Sequence, residues 1–199
     1  MKRVRLDPVQ RRDQLIRLGV EMLSIGGLER ISVEEIAAKA GISKGLLFHY
    51  FTSKQGYHLE IVRQAAQDLL DAIDPKPGLP PIDMLRDSIE RYVDYVVANR
   101  EAYVSQLRGP ASADPEFVEI FEANRSEIVR RILTQVPLGV DEATRPTVHL
   151  AVRGWIAFIE ETTIAWLRTQ PISRADLVEL NVRALPAVAL TSEMAVTLE

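Results

Sequence analysis

Apolar residues recur every three to four positions along most of the chain and almost nowhere alternate, which is the period of amphipathic helices. Leu15, Ile16, Leu18, Gly19, Met22 and Leu23 mark the apolar face of a first helix. Asp7 and Pro8 start it, since Asp caps free amides and Pro tolerates the first helical position, and Gly26 and Gly27 stop it. Val33, Ile36, Ala37 and Ala40 give a second, shorter helix behind Ser32. Ser32 and Glu35 have the spacing of a capping box, in which hydroxyl and carboxylate each satisfy an exposed amide. Gly41 supplies a left-handed turn and Ile42 plugs it into the core. Ser43 caps a third helix, on which Leu47 and Phe51, four residues apart, face inward. Ser53 and Lys54 open a fourth, striped by Leu59, Val62, Ala66, Leu69 and Leu70 and reaching about residue 72.

Four prolines and a glycine within residues 74–81 then exclude regular structure and make a stiff linker. Beyond it the helical period returns at 82–98, 101–107, 114–135 and 144–169, and in a last helix from about 173 to 194 that Pro186 bends. No alternating stretch of useful length appears. The expectation is an all-α fold of about nine helices. It divides into an N-terminal three-helix domain over 1–55, holding a helix-turn-helix, and a C-terminal helical domain over 56–199 for ligand binding and dimerisation.

At 199 residues, 47% hydrophobic and 26% charged, the chain has the composition of an ordinary globular protein of one large or two small domains. The absence of cysteine excludes disulfides, thiolate metal sites and cysteine nucleophiles. No apolar run approaches the ~20 residues that span a bilayer, and no apolar signal core follows the basic N-terminus. The expected setting is the cytoplasm, with no membrane partner. The net charge of -4 hides an asymmetry, because the first 55 residues are net basic and the rest net acidic. A basic front on an acidic body suits a protein that meets phosphate at one end, and equally a solvated charge bias without a partner.

The order and spacing of Ile36, Ala37, Lys39, Ala40, Gly41, Ile42, Ser43, Lys44, Gly45, Leu47, His49, Tyr50, Phe51, Ser53 and Lys54 change the picture. Over about residues 11–59 the chain resembles the DNA-binding domain of the TetR family of bacterial transcriptional regulators. The resemblance implies that the third helix enters the major groove of a double-stranded operator. Lys44, Gly45 and Leu46 would then lie nearest the bases, with Ser43 as cap and Phe48 on the same reading surface. His49, Tyr50 and Lys54 would hold phosphates, as would the start of the second helix at Ser32 and Val33. Two positions depart from the common pattern. Leu46 stands where many members carry a small polar residue and Phe48 where many carry tyrosine; both lack the hydroxyl that a hydrogen bond there would need, which leaves apolar contact with a thymine methyl open to them.

The 144–169 helix is apolar nearly all round, which requires burial on most sides. It and the last helix are expected to pair with their copies in a homodimer of two-fold symmetry, as the resemblance also implies, and such a dimer reads a roughly palindromic site. Tyr103, Phe121, Trp155, Phe158, Glu161, Thr162 and Trp166 are the candidate lining of an effector pocket, although aromatics at this spacing serve as plain core too. Of the adjacent Glu160 and Glu161, one is expected to pair with Arg125 or Arg153 and Glu161 to face the pocket. The expected function is a regulator, most simply a repressor released by a small-molecule effector; the alternative is a constitutive or architectural DNA binder without one. No metal or other cofactor is expected. Gly41-Ile42-Ser43-Lys44-Gly45 has the letters of a nucleophile elbow, but a helix rather than a strand precedes it, so Ser43 reads as a cap and the chain as no enzyme.

Overall fold

The structure is a computed structural model and describes residues 6–135 and 144–189. Nine α-helices make up the described chain: α1 (Pro8–Gly26), α2 (Val33–Ala40), α3 (Lys44–Tyr50), α4 (Lys54–Ala72), α5 (Pro81–Ala98), α6 (Arg100–Arg108), α7 (Pro115–Gln135), α8 (Arg145–Thr169) and α9 (Arg174–Ala189). Two 3-10 turns, Leu28–Arg30 and Pro110–Ala113, complete the regular structure, and no strand occurs among the described residues. The expected extension of the last helix to residue 194 lies outside the described residues. No described helix is long and apolar enough to cross a membrane.

The helices pack as two compact units. One holds the residues up to Asp68 together with Asn99–Ile120; the other holds Leu69–Ala98 and the residues from Phe121 on. The first packing unit is thus larger than the 1–55 segment. It takes in most of α4, all of α6 and the start of α7.

In the first unit the Ile61 side chain of α4 packs directly onto Gly19 of α1. A Cβ on Gly19 would lie 2.3 Å from Ile61 Cδ1, so only glycine fits this crossing without displacing a buried side chain. Beside it the Tyr57 hydroxyl donates to the Leu15 carbonyl at 2.5 Å. Burial pushes that phenol well above its usual range. Phe51 packs on Tyr57, and the Arg12 guanidinium lies over the Phe51 ring while pairing with Glu60. α1 ends at Gly27, whose φ of 75° favours glycine. The next amide, Leu28 N–H, donates to Ser105 Oγ of α6 at 3.2 Å, and Gln55 of α4 donates to the Glu116 carboxylate at the start of α7.

The caps follow the sequence with one exchange. The reciprocal box forms at Asp7, whose carboxylate accepts from Gln10 N–H while Gln10 Oε1 accepts from Asp7 N–H. At Ser32 only the hydroxyl half forms, accepting from Glu35 N–H at 3.2 Å. The Glu35 carboxylate turns outward to Lys39 instead, 3.1 Å away, because an i,i+4 lysine competes with the cap amide for it.

The second unit is built on α8, which packs chiefly on α9, with α5 against α9 in turn. Its core includes Ile89, Val93 and Val96 of α5, Val129 of α7, Val152, Trp155 and Ile156 of α8, and Leu177, Val182 and Leu185 of α9. Gln170, at φ 44°, closes α8 in the left-handed conformation, and the Trp166 indole N–H donates to Ile172 O to hold the turn before α9.

Candidate DNA-binding face

α2 and α3 are too short, at eight and seven residues, to persist alone. Packing and caps hold them. Val33, Ile36, Ala37 and Ala40 bury one face of α2, and Leu47 and Phe51 are buried below α3. Gly41 takes φ 66° and ψ 37°, and its left-handed turn lets Ile42 N–H return to Ala37 O at 2.9 Å. Ser43 Oγ accepts from Leu46 N–H at 3.1 Å and Ser53 Oγ from Gly56 N–H at 2.9 Å, so α3 and α4 each start on a serine cap. Arg11 of α1 reaches the end of α2 at Ala40 O, 3.1 Å away.

Above this scaffold the expected reading residues are together. Ser43, Lys44, Gly45, Leu46, His49 and Lys54 are exposed, and Ser32, Phe48 and Tyr50 half-buried. Val33 differs, because its side chain is core and only its backbone is available to a partner. Gly45 has no steric need for glycine within the protein. A Cβ there would meet nothing nearer than Ser43 Oγ at 3.9 Å, so the bare helix surface leaves room for something outside the chain. His49 and Tyr50 meet edge to face, 5.9 Å between ring centroids.

One residue of this face carries no motif signal. Glu34, in the first turn of α2, accepts from the Lys44 ammonium at 2.5 Å. The same ammonium lies 6.0 Å from the centroid of the Phe48 ring. The Lys44 hydrogen bond holds the Glu34 carboxyl below its usual range. Ten residues separate the two across a turn, so no helical period could have paired them.

The candidate effector-pocket residues are scattered. Tyr103 is buried in the first unit, on α6. In the second unit Trp155 and Trp166 are buried, Phe121 is half-buried, and Phe158 and Glu161 are exposed. Trp155 and Thr162 converge on Asn181 of α9: the indole donates to its backbone carbonyl at 2.9 Å and the Thr162 hydroxyl lies 3.0 Å from its side-chain oxygen. Glu160 pairs with Arg125, whose Nε and Nη2 donate to its carboxylate at 2.9 and 2.8 Å. Arg125 also donates to Glu122, which Arg153 contacts in turn. A cleft of about 530 Å³ that sequence reasoning missed lies along α1 and α4, lined by Asp13, Ile16, Arg17, Val20, Glu21, Gln64 and Asp68. Its mixed, aromatic-free lining gave no signal for a pocket. Among the described residues no cluster of His, Asp and Glu could hold a metal ion.

Known proteins resemble the chain over both of its parts. Residues 15–61 match the family model of bacterial regulatory proteins of the tetR family, and residues 81–188 match that of a tetracyclin repressor-like C-terminal domain. The HTH-type transcriptional regulator BetI of Stenotrophomonas maltophilia is 30% identical over 168 residues, 82% of each chain. The HTH-type transcriptional repressor KstR2 of Mycolicibacterium smegmatis is 39% identical over 64 residues, 32% of this chain and 29% of that one. A tetR-family transcriptional regulator from Streptomyces coelicolor superposes with a TM-score of 0.81 at 29% identity, over 97% of this chain and 88% of its own. With the C-terminal model alone spanning more than half of the sequence, the chain belongs to the tetR family of helix-turn-helix transcriptional regulators.

Proposed function

We propose that this regulator is a homodimeric repressor that leaves a roughly palindromic operator when a small-molecule effector binds its body. The observation that carries the reading is the layer of exposed Lys44, Gly45, Leu46, His49 and Lys54 over a fully packed scaffold. In this reading the first turn of α3 meets base edges in the major groove. The amides at Ser32 and Val33 and the start of α4 with Lys54 meet phosphates, where the positive end of a helix favours an anion. Leu46 offers a thymine methyl an apolar contact.

The dimer forms through α8 and α9. Leu150, Gly154, Ala157 and Phe158 make an exposed apolar row on α8, as do Leu180, Ala187 and Val188 on α9, and two such helices from each copy close a four-helix interface. The paired α3 helices then stand about one turn of DNA, ~34 Å, apart. α4 is one helix from Lys54 to Ala72, so an effector that shifts its C-terminal turns moves Lys54 as well. A coupling of roughly 1–3 kcal/mol changes operator affinity roughly 5- to 150-fold. Repression is the simpler outcome, because a bound dimer blocks polymerase, and one relative is itself named a repressor.

The test is operator selection from a random duplex library, followed by binding across a salt series. Lys54→Ala should weaken binding to all sequences and flatten the salt dependence by about one phosphate contact. Lys44→Ala should relax sequence preference instead. If both variants bind the selected operator like the parent, the face is wrong. Thermal melts against a compound library then look for the effector, which raises the melting temperature of the folded dimer; a constitutive binder gives no such compound.

A further inference from the structure

Lys44 is the one lysine of α3, and it is held on two sides. Its ammonium donates a hydrogen bond to the Glu34 carboxylate at 2.5 Å, and the centroid of the Phe48 ring lies 6.0 Å away. Both members of the ion pair are more than half exposed, so their mutual attraction adds little to folding. The pair does something else on a surface meant for nucleic acid. It makes a local charge of zero at the point where a bare lysine would be drawn to any phosphate, and it leaves two ammonium protons free to donate.

We propose that Glu34 is a positioning residue for sequence reading: it fixes the Lys44 ammonium over the base edges and cancels its attraction to DNA in general. This rests on the DNA-binding reading of α2 and α3. A lysine is a compact point charge on a flexible stem, so by itself it binds the nearest phosphate and carries no sequence information. Held by a carboxylate and an aromatic face, it presents its remaining donors in one direction. The acceptors it then meets best are the paired O6 and N7 of guanine in the major groove. Glu34 itself, at the mouth of the groove, repels phosphate and penalises every sequence alike.

The test measures affinity for the selected operator and for a labelled mixed-sequence duplex, using the full-length parent, E34Q, K44A and the E34Q/K44A double variant. E34Q should tighten mixed-sequence binding about two- to fivefold, the scale of one exposed ion pair. It should also lower the ratio of operator to mixed-sequence affinity, because Lys44 is no longer aimed. In the K44A background E34Q should leave that ratio unchanged, since there is no lysine to aim. Matching thermal melts for parent and E34Q confirm that the fold is intact. An unchanged ratio in E34Q, or an equal fall in both backgrounds, overturns the proposal, because Glu34 would then act as a plain negative charge near DNA. If the parent shows no salt-dependent DNA binding at all, it is the DNA-binding reading that fails.

Discussion

The α1–α4 head and the α8–α9 pair satisfy their polar groups in different ways. In the head, Tyr57 OH meets Leu15 O, Arg11 meets Ala40 O, and serines close the first turns of α2, α3 and α4. In the α8–α9 pair the two indoles find carbonyls, yet Thr163 Oγ1 and Asn181 Nδ2 have no partner in residues that are 0% exposed. Helix length accounts for the serine caps of α2 and α3. Helices of seven and eight residues bury too little to absorb an unmet amide, so each needs a cap or a tertiary bond. α8 runs for 25 residues with nine buried side chains, and can carry an orphaned hydroxyl that costs about 1–3 kcal/mol. The two shortest helices depend on single caps, whereas α8 has buried area to spare.

The largest effect expected from this contrast lies on α3, between neighbours. Leu47 is 0% exposed and Leu46 is 40% exposed. Leu47→Ala should destabilise the protein by about 2–5 kcal/mol through the lost transfer energy and the cavity left behind. Leu46→Ala should shift stability by less than about 0.5 kcal/mol and change only sequence preference. Urea denaturation of both variants checks it. Equal losses would mean that α3 is not divided into a scaffold face and a free face.

The same contrast decides what could be read before the structure. Ser43, Gly41, Leu47 and the helix ends were legible because caps, left-handed turns and inward faces are fixed within a few residues of sequence. Glu34 with Lys44, Leu28 with Ser105, and Trp155 and Thr162 with Asn181 were not, because each pairing is made by tertiary packing. At Ser32 the sequence pointed to a full box, but Lys39, one turn on, draws off the carboxylate. Glu160 and Glu161 were conspicuous as acids in an apolar helix; that Arg125 of α7 neutralises Glu160 depends on how α7 packs against α8. An aromatic ring at helical spacing suits a pocket wall and a plain core alike, so Tyr103, Phe121, Trp155, Phe158 and Trp166 carried no signal that separates the two.

His58 is the exception in the head, and it sharpens the comparison at a smaller scale. Its Nε2 is buried without a partner. Burial, with the Lys54 ammonium adding to it, lowers its pKa from 6.5 to about 4. The imidazole is therefore neutral in the fold across a range where the unfolded chain takes up a proton. The unfolded state binds more protons there, so stability falls as pH drops from 6.5 toward 4 and levels off below. Between about pH 7 and about pH 5 this should remove about 1–2 kcal/mol. In His58→Gln that portion of the slope should disappear. Parallel stability profiles for parent and variant would show that His58 is hydrated or paired, and that the head has no unmatched group after all.

Thr163 gives the smallest and most diagnostic change. Valine matches threonine in shape and replaces the hydroxyl with a methyl group. If Oγ1 is an orphan, Thr163→Val removes a buried polar group that nothing compensates, and the protein should gain about 1 kcal/mol. If the variant is instead destabilised, the hydroxyl has a partner in solution, a water or a bound small molecule, and the α8–α9 core is not dry. A melt of parent and variant before and after exhaustive dialysis against denaturant, with refolding, separates those two. A water returns on refolding and leaves the destabilisation in place, whereas a carried-over molecule does not, and the difference between parent and variant then reverses sign. Either result bears on the contrast between the regions: it decides whether the long helices tolerate an unmet polar atom by area alone or keep it for a ligand.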